Sequence, residues 1–265
     1  PGKIALFLGF FPQIMEGPIS SYAQTADTLF EGNPLTMENL AQGSVRIFWG
    51  LFKKLLIADR LYLLVDVIFN NYQYHYGEMI VIVAIAYTTQ LYMEFSGCMD
   101  IIIGSGKMFG VTLPENFRQP FFSKSAAEFW RRWHISLGSW FREYVYIPLG
   151  GNRVTVPRHL LNLLIVWFLT GLWHGAAWNF VAWGLYYGVI LIIEKYLLSP
   201  VLDRLPDVVR HIYSIVLVVI GWVLFFSSSF GQAADYIRVM FGAGAHGFAD
   251  RESMYLLTSN LILWL

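Results

Sequence analysis

Two histidines, His174 and His134, are the side chains in this sequence with the clearest capacity for chemistry. His174 stands in the run Leu172-Trp173-His174-Gly175, inside a long apolar stretch, and His134 lies in an aromatic segment upstream. Imidazole has an unperturbed pKa of about 6.5, so it can accept a proton or bind a metal near neutral pH. The alternative for a lone histidine on an apolar face is a structural role. An ionisable group at membrane depth is costly, however, and usually marks function.

Other kinds of site find little support in the spacing of residues. The histidines form no HxxxH or HxH pair, so we predict no metal site, and a serine triad lacks its nucleophile elbow. Gly104-Ser105-Gly106-Lys107 is followed by Met108, where a phosphate loop needs a hydroxyl. Its glycines are better explained as places where membrane helices approach closely. The one cysteine excludes an intrachain disulfide and a CxxC motif.

The composition is that of an integral membrane protein. Of 265 residues, 56% are hydrophobic and 14% are charged, against about 25% charged in soluble domains. Aromatic residues reach 17%, with ten tryptophans, which suits bilayer interfaces and internal cavities. The net charge of zero gives no indication of a nucleic-acid partner.

Several stretches are long and apolar enough to predict helices in or at a bilayer. Residues 212–230 contain no charge, and residues 79–93 form a second span that extends to 98 if Glu94 is buried. Residues 4–15 are apolar but short and interrupted by Pro12. Residues 44–65 are amphipathic, with basic side chains beside aromatic ones, and are predicted to lie at the interface and then dip inward.

The stretch 160–193 has 34 residues without Asp, Glu, Lys or Arg. As one helix it would be about 51 Å long, and two spans would need roughly 40 residues. Gly171 and Gly175 are the natural break points. We therefore expect two helical segments that meet inside the membrane, with His174 at their junction.

Residues 125–145 are predicted to form a single helix, with Ser125 as its N-cap and a turn at residues 148–152 as its end. Helical spacing then places one stripe of side chains on a common face: Trp130, His134, Leu137 and Phe141. Basic residues concentrate between 115 and 158, which predicts a cytoplasmic position for this region.

We expect a single domain over residues 1–265. The start at Pro1-Gly2 and the apolar end at 261–265 suggest an internal piece lacking helices at both ends.

Several motifs resemble those of the membrane-bound O-acyltransferase (MBOAT) family, and most of all those of its bacterial alginate O-acetyltransferase branch. They follow one another in the order found in that family. The motifs are Phe95-Ser96-Gly97 with Asp100, Leu113-Pro114-Glu115-Asn116-Phe117, Phe129-Trp130-Arg131-Arg132-Trp133-His134, Tyr146-Ile147-Pro148-Leu149-Gly150-Gly151-Asn152-Arg153 and Gly171-Leu172-Trp173-His174-Gly175.

This resemblance implies an all-α, polytopic transmembrane fold in which helices surround a central tunnel. An acyl thioester, expected to be acetyl-CoA, would enter from the cytoplasmic side, and the acceptor from the other. The near-invariant histidine of the family maps onto His174, and its second polar residue onto His134. His174 would act as general base, while His134 would orient the donor or stabilise the oxyanion. No bound cofactor is implied.

Further candidates for substrate binding are Trp130, Arg131, Arg132, Trp133, Asn116 and Asp100. Arg131 and Arg132 could meet coenzyme A phosphates or anchor the chain at the cytoplasmic face. The implied acceptor is an extracytoplasmic polysaccharide or an SGNH-type acetyltransferase partner, and the implied location is a bacterial cytoplasmic membrane. Three alternatives stay open: D-alanyl transfer to teichoic acid from a carrier protein, a transporter, and a non-enzymatic scaffold.

Overall fold

The computed structural model describes residues 1–14, 16–31, 35–244, 246–247, 251, 255 and 258–259. The secondary structure of these residues is helical, apart from an isolated antiparallel bridge between Phe117 and Trp133. The α-helices of the described part are, in order, α1 (Gly2–Leu8), α2 (Tyr22–Phe30), α3 (Met37–Leu51), α4 (Asp59–Phe69), α5 (Gly77–Met108), α6 (Ala126–Arg132), α7 (Ile135–Phe141), α8 (Val156–His174), α9 (Trp178–Ile193), α10 (Ser199–Leu202), α11 (Asp207–Phe226) and α12 (Phe230–Met240).

Wider π-helical turns extend three of these helices. They join α3 to α4 through Phe52–Ala58, continue α7 through Arg142–Tyr146, and join α9 to α10 through Glu194–Leu198. The connection from α3 to α4 is therefore one helical path beside α5, in the region predicted to be amphipathic. Short 3₁₀ turns occur at Phe11–Gln13, Tyr72–Tyr74 and Pro120–Phe122.

Four helices in the described part are long and apolar enough to cross a membrane. They are Gly77–Met108, Val156–His174, Trp178–Leu202 and Asp207–Phe226. The two spans predicted at 79–98 and 212–230 are confirmed as helices, although α11 starts and ends several residues earlier than predicted. The all-α class is confirmed. Residues 261–265, on which the expectation of a missing C-terminal helix rested, lie outside the described residues.

Glycines let α3 and α5 approach closely, as predicted for α5. A Cβ built on Gly104 would lie 2.7 Å from the carbonyl oxygen of Gly43, and one on Gly97 would lie 2.9 Å from that of Gly50. Distances under 3.0 Å to backbone atoms leave no room for a side chain, so these contacts require glycine.

Helices α8 and α9 divide the uncharged stretch 160–193 where the sequence predicted. α8 ends at His174, residues 175–177 form the connection, and α9 starts at Trp178. The estimate that the stretch is too short for two spans is wrong, because both helices also use residues beyond it. α8 begins at Val156, and the helical path from α9 reaches Leu202. A junction inside the membrane is therefore not required by length.

Aromatic side chains fill the core where these helices meet. Trp183, Tyr187, Trp222 and Phe129 are each at most 2% exposed. Trp130 contacts Trp183 and Tyr187 edge-on, with ring centroids 5.5 and 4.7 Å apart. Edge-to-face pairs of this kind stabilise a core beyond the area that they bury, so the wall behind the two histidines is rigid.

Candidate active site

His174 is the last residue of α8, and its ring lies among aromatic rings. The centroid of the ring is 4.9 Å from that of Trp183 and 5.3 Å from that of Phe225, both in edge-on contacts. The hydrogen bonds of the described residues include none to the ring nitrogens of His174. The ring lines a cavity with aromatic and aliphatic walls, so a bound molecule can reach these nitrogens.

His134 does not lie within a helix, and the prediction of one helix over 125–145 is wrong. α6 ends at Arg132, Trp133 is extended, and His134 has a left-handed backbone with φ of 48° before α7 begins. The N-cap at Ser125 is confirmed, because its side chain accepts from the backbone N–H of Glu128.

The break is held by Asn116, whose contacts replace the missing helical hydrogen bonds. Its backbone carbonyl accepts from the N–H of Ile135 at 3.0 Å. Its side-chain oxygen accepts from the N–H and the hydroxyl of Ser136, at 3.0 and 2.9 Å, and lies 3.3 Å from Nδ1 of His134. Asn116 is 1% exposed, and a long-range partner in the core therefore stabilises a conformation that local sequence does not favour.

The contact with Asn116 determines which nitrogen of His134 is free. Since the amide oxygen Oδ1 can only accept, this contact favours the tautomer of His134 that carries its hydrogen on Nδ1. In the neutral ring, Nε2 is then the unprotonated acceptor. Burial, and secondarily the neighbouring His174, lower the pKa of His134 to about 3, so the ring is neutral at physiological pH.

The two histidines share one cavity of about 200 Å³, here called the histidine cavity. It lies between α6, α7, α8 and α9, and its polar side chains include Arg142, Tyr146 and Thr170. The predicted stripe falls on it despite the broken helix, since its lining includes Trp130, His134, Leu137, Phe141 and His174. Most of the walls are apolar, and apolar surroundings strengthen a charge interaction made beside them.

A second cavity, of about 450 Å³, shares His134 with the histidine cavity and is also lined by Trp173. We call it the acidic cavity because Glu16 and Glu94 line it, together with Phe95 and others. Glu94 is paired with Lys54 at 2.8 Å. His134 therefore lies between two spaces that a tunnel would have to connect.

A third cavity, of about 400 Å³, adjoins the histidine cavity and shares Tyr146 and Leu163 with it. We call it the His159 cavity. The buried ring of His159 bonds to the hydroxyl groups of Tyr146 and Tyr196, at 2.8 and 2.7 Å. Three cationic side chains, Arg131, Lys195 and Arg210, line the same space together with two carboxylates, Glu194 and Asp203.

Comparison with known proteins identifies the group of proteins to which this arrangement belongs. The family described as MBOAT, membrane-bound O-acyltransferase family, matches residues 3–230. The chain belongs to the MBOAT family. That match covers every cavity described above.

The MBOAT relatives that this chain resembles have different names. A probable alginate O-acetylase AlgI from Azotobacter vinelandii is 39% identical over 97% of this chain and 51% of its own length. A peptidoglycan O-acetyltransferase from Helicobacter pylori is 34% identical over 90% and 46%. A teichoic acid D-alanyltransferase from Bacillus subtilis is 31% identical over 71% and 50%. The chain thus spans about half the length of the curated relatives it matches.

The structure brings some of the candidate substrate-binding residues to the two histidines and leaves others apart. Trp130 and Trp133 line the histidine cavity, while Arg131 lines the His159 cavity. Arg132 is bonded to Glu128 at 2.6 Å and is absent from the lining of all three cavities.

The two remaining candidates have partners within the protein. Asn116 is buried and positions His134 and Ser136, as described above. Asp100 accepts from Nε of Arg46 at 3.1 Å and from Nζ of Lys53 at 2.7 Å, and it lines none of the three cavities. The contacts of both are therefore those of residues that hold helices together.

Gly138, Tyr146 and His159 are cavity residues that the sequence did not single out. Gly138 follows His134 by four residues, so helical spacing could have placed it on the same face. Tyr146 belongs to the family motif that ends at Arg153. His159 sits near the start of α8 with Tyr196 far along the chain, and no local pattern joins them.

Proposed function

We propose that this protein is a membrane O-acyltransferase that transfers an acyl group, preferably acetyl, from a thioester donor to a hydroxyl group. The observation that carries the proposal is the pair of histidines on one largely apolar cavity, of which His174 has ring nitrogens free to meet a substrate. Membership of the MBOAT family supports the same chemistry.

In this proposal His174 is the general base. It takes the proton from the acceptor hydroxyl while the oxygen attacks the thioester carbonyl carbon. The tetrahedral intermediate then breaks its C–S bond, and the departing thiolate receives the proton from the imidazolium. The products are an ester and a free thiol. General base catalysis contributes about 10²–10⁴-fold, and the rest comes from holding the reactants together.

His134 orients the acceptor hydroxyl. With Nδ1 donating to Asn116, its Nε2 accepts a hydrogen bond and does not supply one to an oxyanion. This favours contact with a hydroxyl over stabilisation of the tetrahedral intermediate. His134 also lines the acidic cavity, so the acceptor would approach from there.

The donor approaches through the His159 cavity. Acyl thioesters of coenzyme A and of carrier proteins carry a phosphate on the thiol arm, and guanidinium and ammonium groups bind phosphate well. Arg131, Lys195 and Arg210 line this cavity, next to the histidine cavity in which the thioester would react. Acetyl-CoA is the donor we favour, as a substrate and not as a resident cofactor.

The acceptor is an extracytoplasmic cell-envelope polysaccharide, or an SGNH-type acetyltransferase that passes the group on. The names of the relatives, an alginate O-acetylase and a peptidoglycan O-acetyltransferase, support a polysaccharide. The location in this proposal is the bacterial cytoplasmic membrane, where the donor is on one face and the polysaccharide on the other.

A second candidate is D-alanyl transfer to teichoic acid, which the similarity to the Bacillus subtilis protein supports. Its donor would be a D-alanyl carrier protein in place of acetyl-CoA. Supplying purified full-length protein with each donor in turn distinguishes the two candidates, because only the true donor should release its thiol.

The proposal is tested with His174→Ala in the full-length protein, purified in detergent and supplied with acetyl-CoA and an alginate oligosaccharide. Since the base is lost, thiol release and ester formation should fall by about 10²–10⁴-fold, with the thermal unfolding temperature nearly unchanged.

The matched control is His75→Ala, a histidine next to the Tyr72–Tyr74 turn and outside the three cavities. It should retain full activity. A folded His174→Ala protein with wild-type transfer would exclude His174 as the base.

A further inference from the structure

The glycines around the histidine cavity differ in the structural reason for which glycine is required at each position. Gly171 and Gly184 lie where α8 and α9 touch, and a Cβ on either would overlap backbone atoms of the other helix. Close helix packing explains these two. It does not explain Gly138.

Gly138 has room for a side chain. A Cβ built on it would have only the carbonyl oxygen of Trp130 within 4 Å, at 4.0 Å. Its φ is not positive, and it lies in the middle of α7. Glycine destabilises a helix interior relative to alanine, so neither packing nor backbone geometry accounts for glycine here.

The space beside Gly138 is the histidine cavity itself. Gly138 lines this cavity together with His134 and His174, and it lies four residues after His134, in the helix that follows the break. A side chain at position 138 would therefore project into the room beside the two histidines. The cavity measures about 200 Å³, whereas an apolar cavity of about 150 Å³ holds a benzene molecule. It has room for a thioester with a short acyl chain, whereas a longer chain would have to extend out of the cavity.

We propose that Gly138 determines which acyl groups the protein accepts: its missing side chain makes room for a short-chain acyl thioester beside His174. This inference rests on the proposed function and adds a size limit to it. Each carbon added at position 138 then reduces the cavity volume that remains for the acyl group. Activity with the donor of longer acyl chain should therefore fall before activity with the shorter one.

The test compares Gly138→Ala and Gly138→Leu with the wild type in the full-length protein. Thiol release from acetyl-CoA and from butyryl-CoA is measured, with the rate of His174→Ala subtracted. In a tight apolar pocket one methylene changes discrimination by roughly 10–200-fold. Gly138→Ala should lower kcat/KM for butyryl-CoA by that factor relative to acetyl-CoA, and Gly138→Leu should abolish release from both.

Gly231 supplies the matched control. Like Gly138 it is an exposed glycine in a helix, here α12, and a Cβ built on it would have only Oγ of Ser229 within 4 Å, at 3.9 Å; it lies outside the three cavities. Gly231→Ala and Gly231→Leu should leave the donor preference unchanged. Gly138→Ala and Gly231→Ala should both keep or raise the thermal unfolding temperature, because alanine favours the helix.

The outcomes separate this inference from the function on which it depends. Wild-type protein that releases no thiol in a His174-dependent way overturns the proposed function, and this inference with it. An active wild type whose acetyl-to-butyryl preference persists in both Gly138 variants overturns this inference alone. A marked loss of stability in Gly138→Ala also overturns it, since position 138 would then be a packing site.

Discussion

At the scale of single residues, His134 combines a strained backbone with a buried neutral ring. Its φ of 48° is one of only two positive values among the non-glycine residues of the described part. A left-handed backbone is costly for a residue with a side chain and persists where the surroundings enforce it, often at functional sites. Here Asn116 enforces it, and the strain places the ring between the two cavities.

Protonation of His134 should couple stability to pH. Its pKa is lowered to about 3 in the folded protein, whereas it is about 6.5 in an unfolded chain. The unfolded state therefore binds more protons between these values. Stability is complete above pH 6.5 and falls as the pH drops towards 3, by at most about 1.4 kcal/mol per pH unit.

His134→Asn should reduce this acid sensitivity. Asparagine does not titrate and is among the residues that tolerate a left-handed backbone. The measurement is thermal unfolding in detergent between pH 7.5 and pH 5, with His75→Asn as the control. Wild type and His75→Asn should lose more stability than His134→Asn. Equal losses in all three would show that His134 is not buried as a neutral ring.

At the scale of the helices, the sequence predicts those helix positions and boundaries that depend on local residue patterns. Long uncharged runs identified α5 and α11, and Gly175 marked the boundary between α8 and α9. The predicted stripe with Trp130, His134 and Leu137 correctly grouped residues that line one cavity. The break in the middle of that stripe could not be predicted, because the residue that holds it, Asn116, is 18 positions from His134. The cavities themselves depend on packing between distant helices.

The start of α6 is tied to α9 by a buried carboxylate. Glu194 is 5% exposed and accepts from the N–H groups of Ala126 and Ala127, at 2.7 and 3.0 Å. Both donors belong to the first turn of α6, whose N–H groups have no partner within the helix. Trp130 of the same helix lines the histidine cavity.

Glu194→Ala should destabilise the protein by about 1–3 kcal/mol, because it leaves two buried N–H groups without acceptors. Glu194→Gln keeps one acceptor oxygen and should cost less. Chemical unfolding of the purified variants, followed by tryptophan fluorescence, measures both. If the two substitutions were equally harmless, Glu194 would not be what positions α6.

At the scale of the whole molecule, α8 is long and apolar enough to cross a membrane, so we expect its two ends to lie on opposite sides. A basic segment with Arg153 and Arg158 lies at the start of α8, and the 175–177 turn follows the end of that helix. The excess of arginine and lysine favours the cytoplasm for the first. The chain has a single cysteine, Cys98, so a Cys98→Ser background allows labelling at chosen positions.

Arg153→Cys and Ala176→Cys, both at exposed positions, test this arrangement. In intact cells a membrane-impermeant thiol reagent should label the protein with Ala176→Cys, and the one with Arg153→Cys only after the membrane is opened. Cys98→Ser alone should stay unlabelled. The reverse pattern would invert the orientation, and with it the directions proposed for donor and acceptor.

The turn between α8 and α9 bears on how the protein is made. Residues 175–177 are glycine and two alanines, and the backbones of the two helices touch at Gly171 and Gly184. A connection this short and uncharged cannot form a hydrophilic loop in the aqueous phase after α8 has inserted and before α9 is synthesised. We expect α8 and α9 to leave the insertion machinery together as one hairpin, so that His174 enters the bilayer already covered by its neighbour.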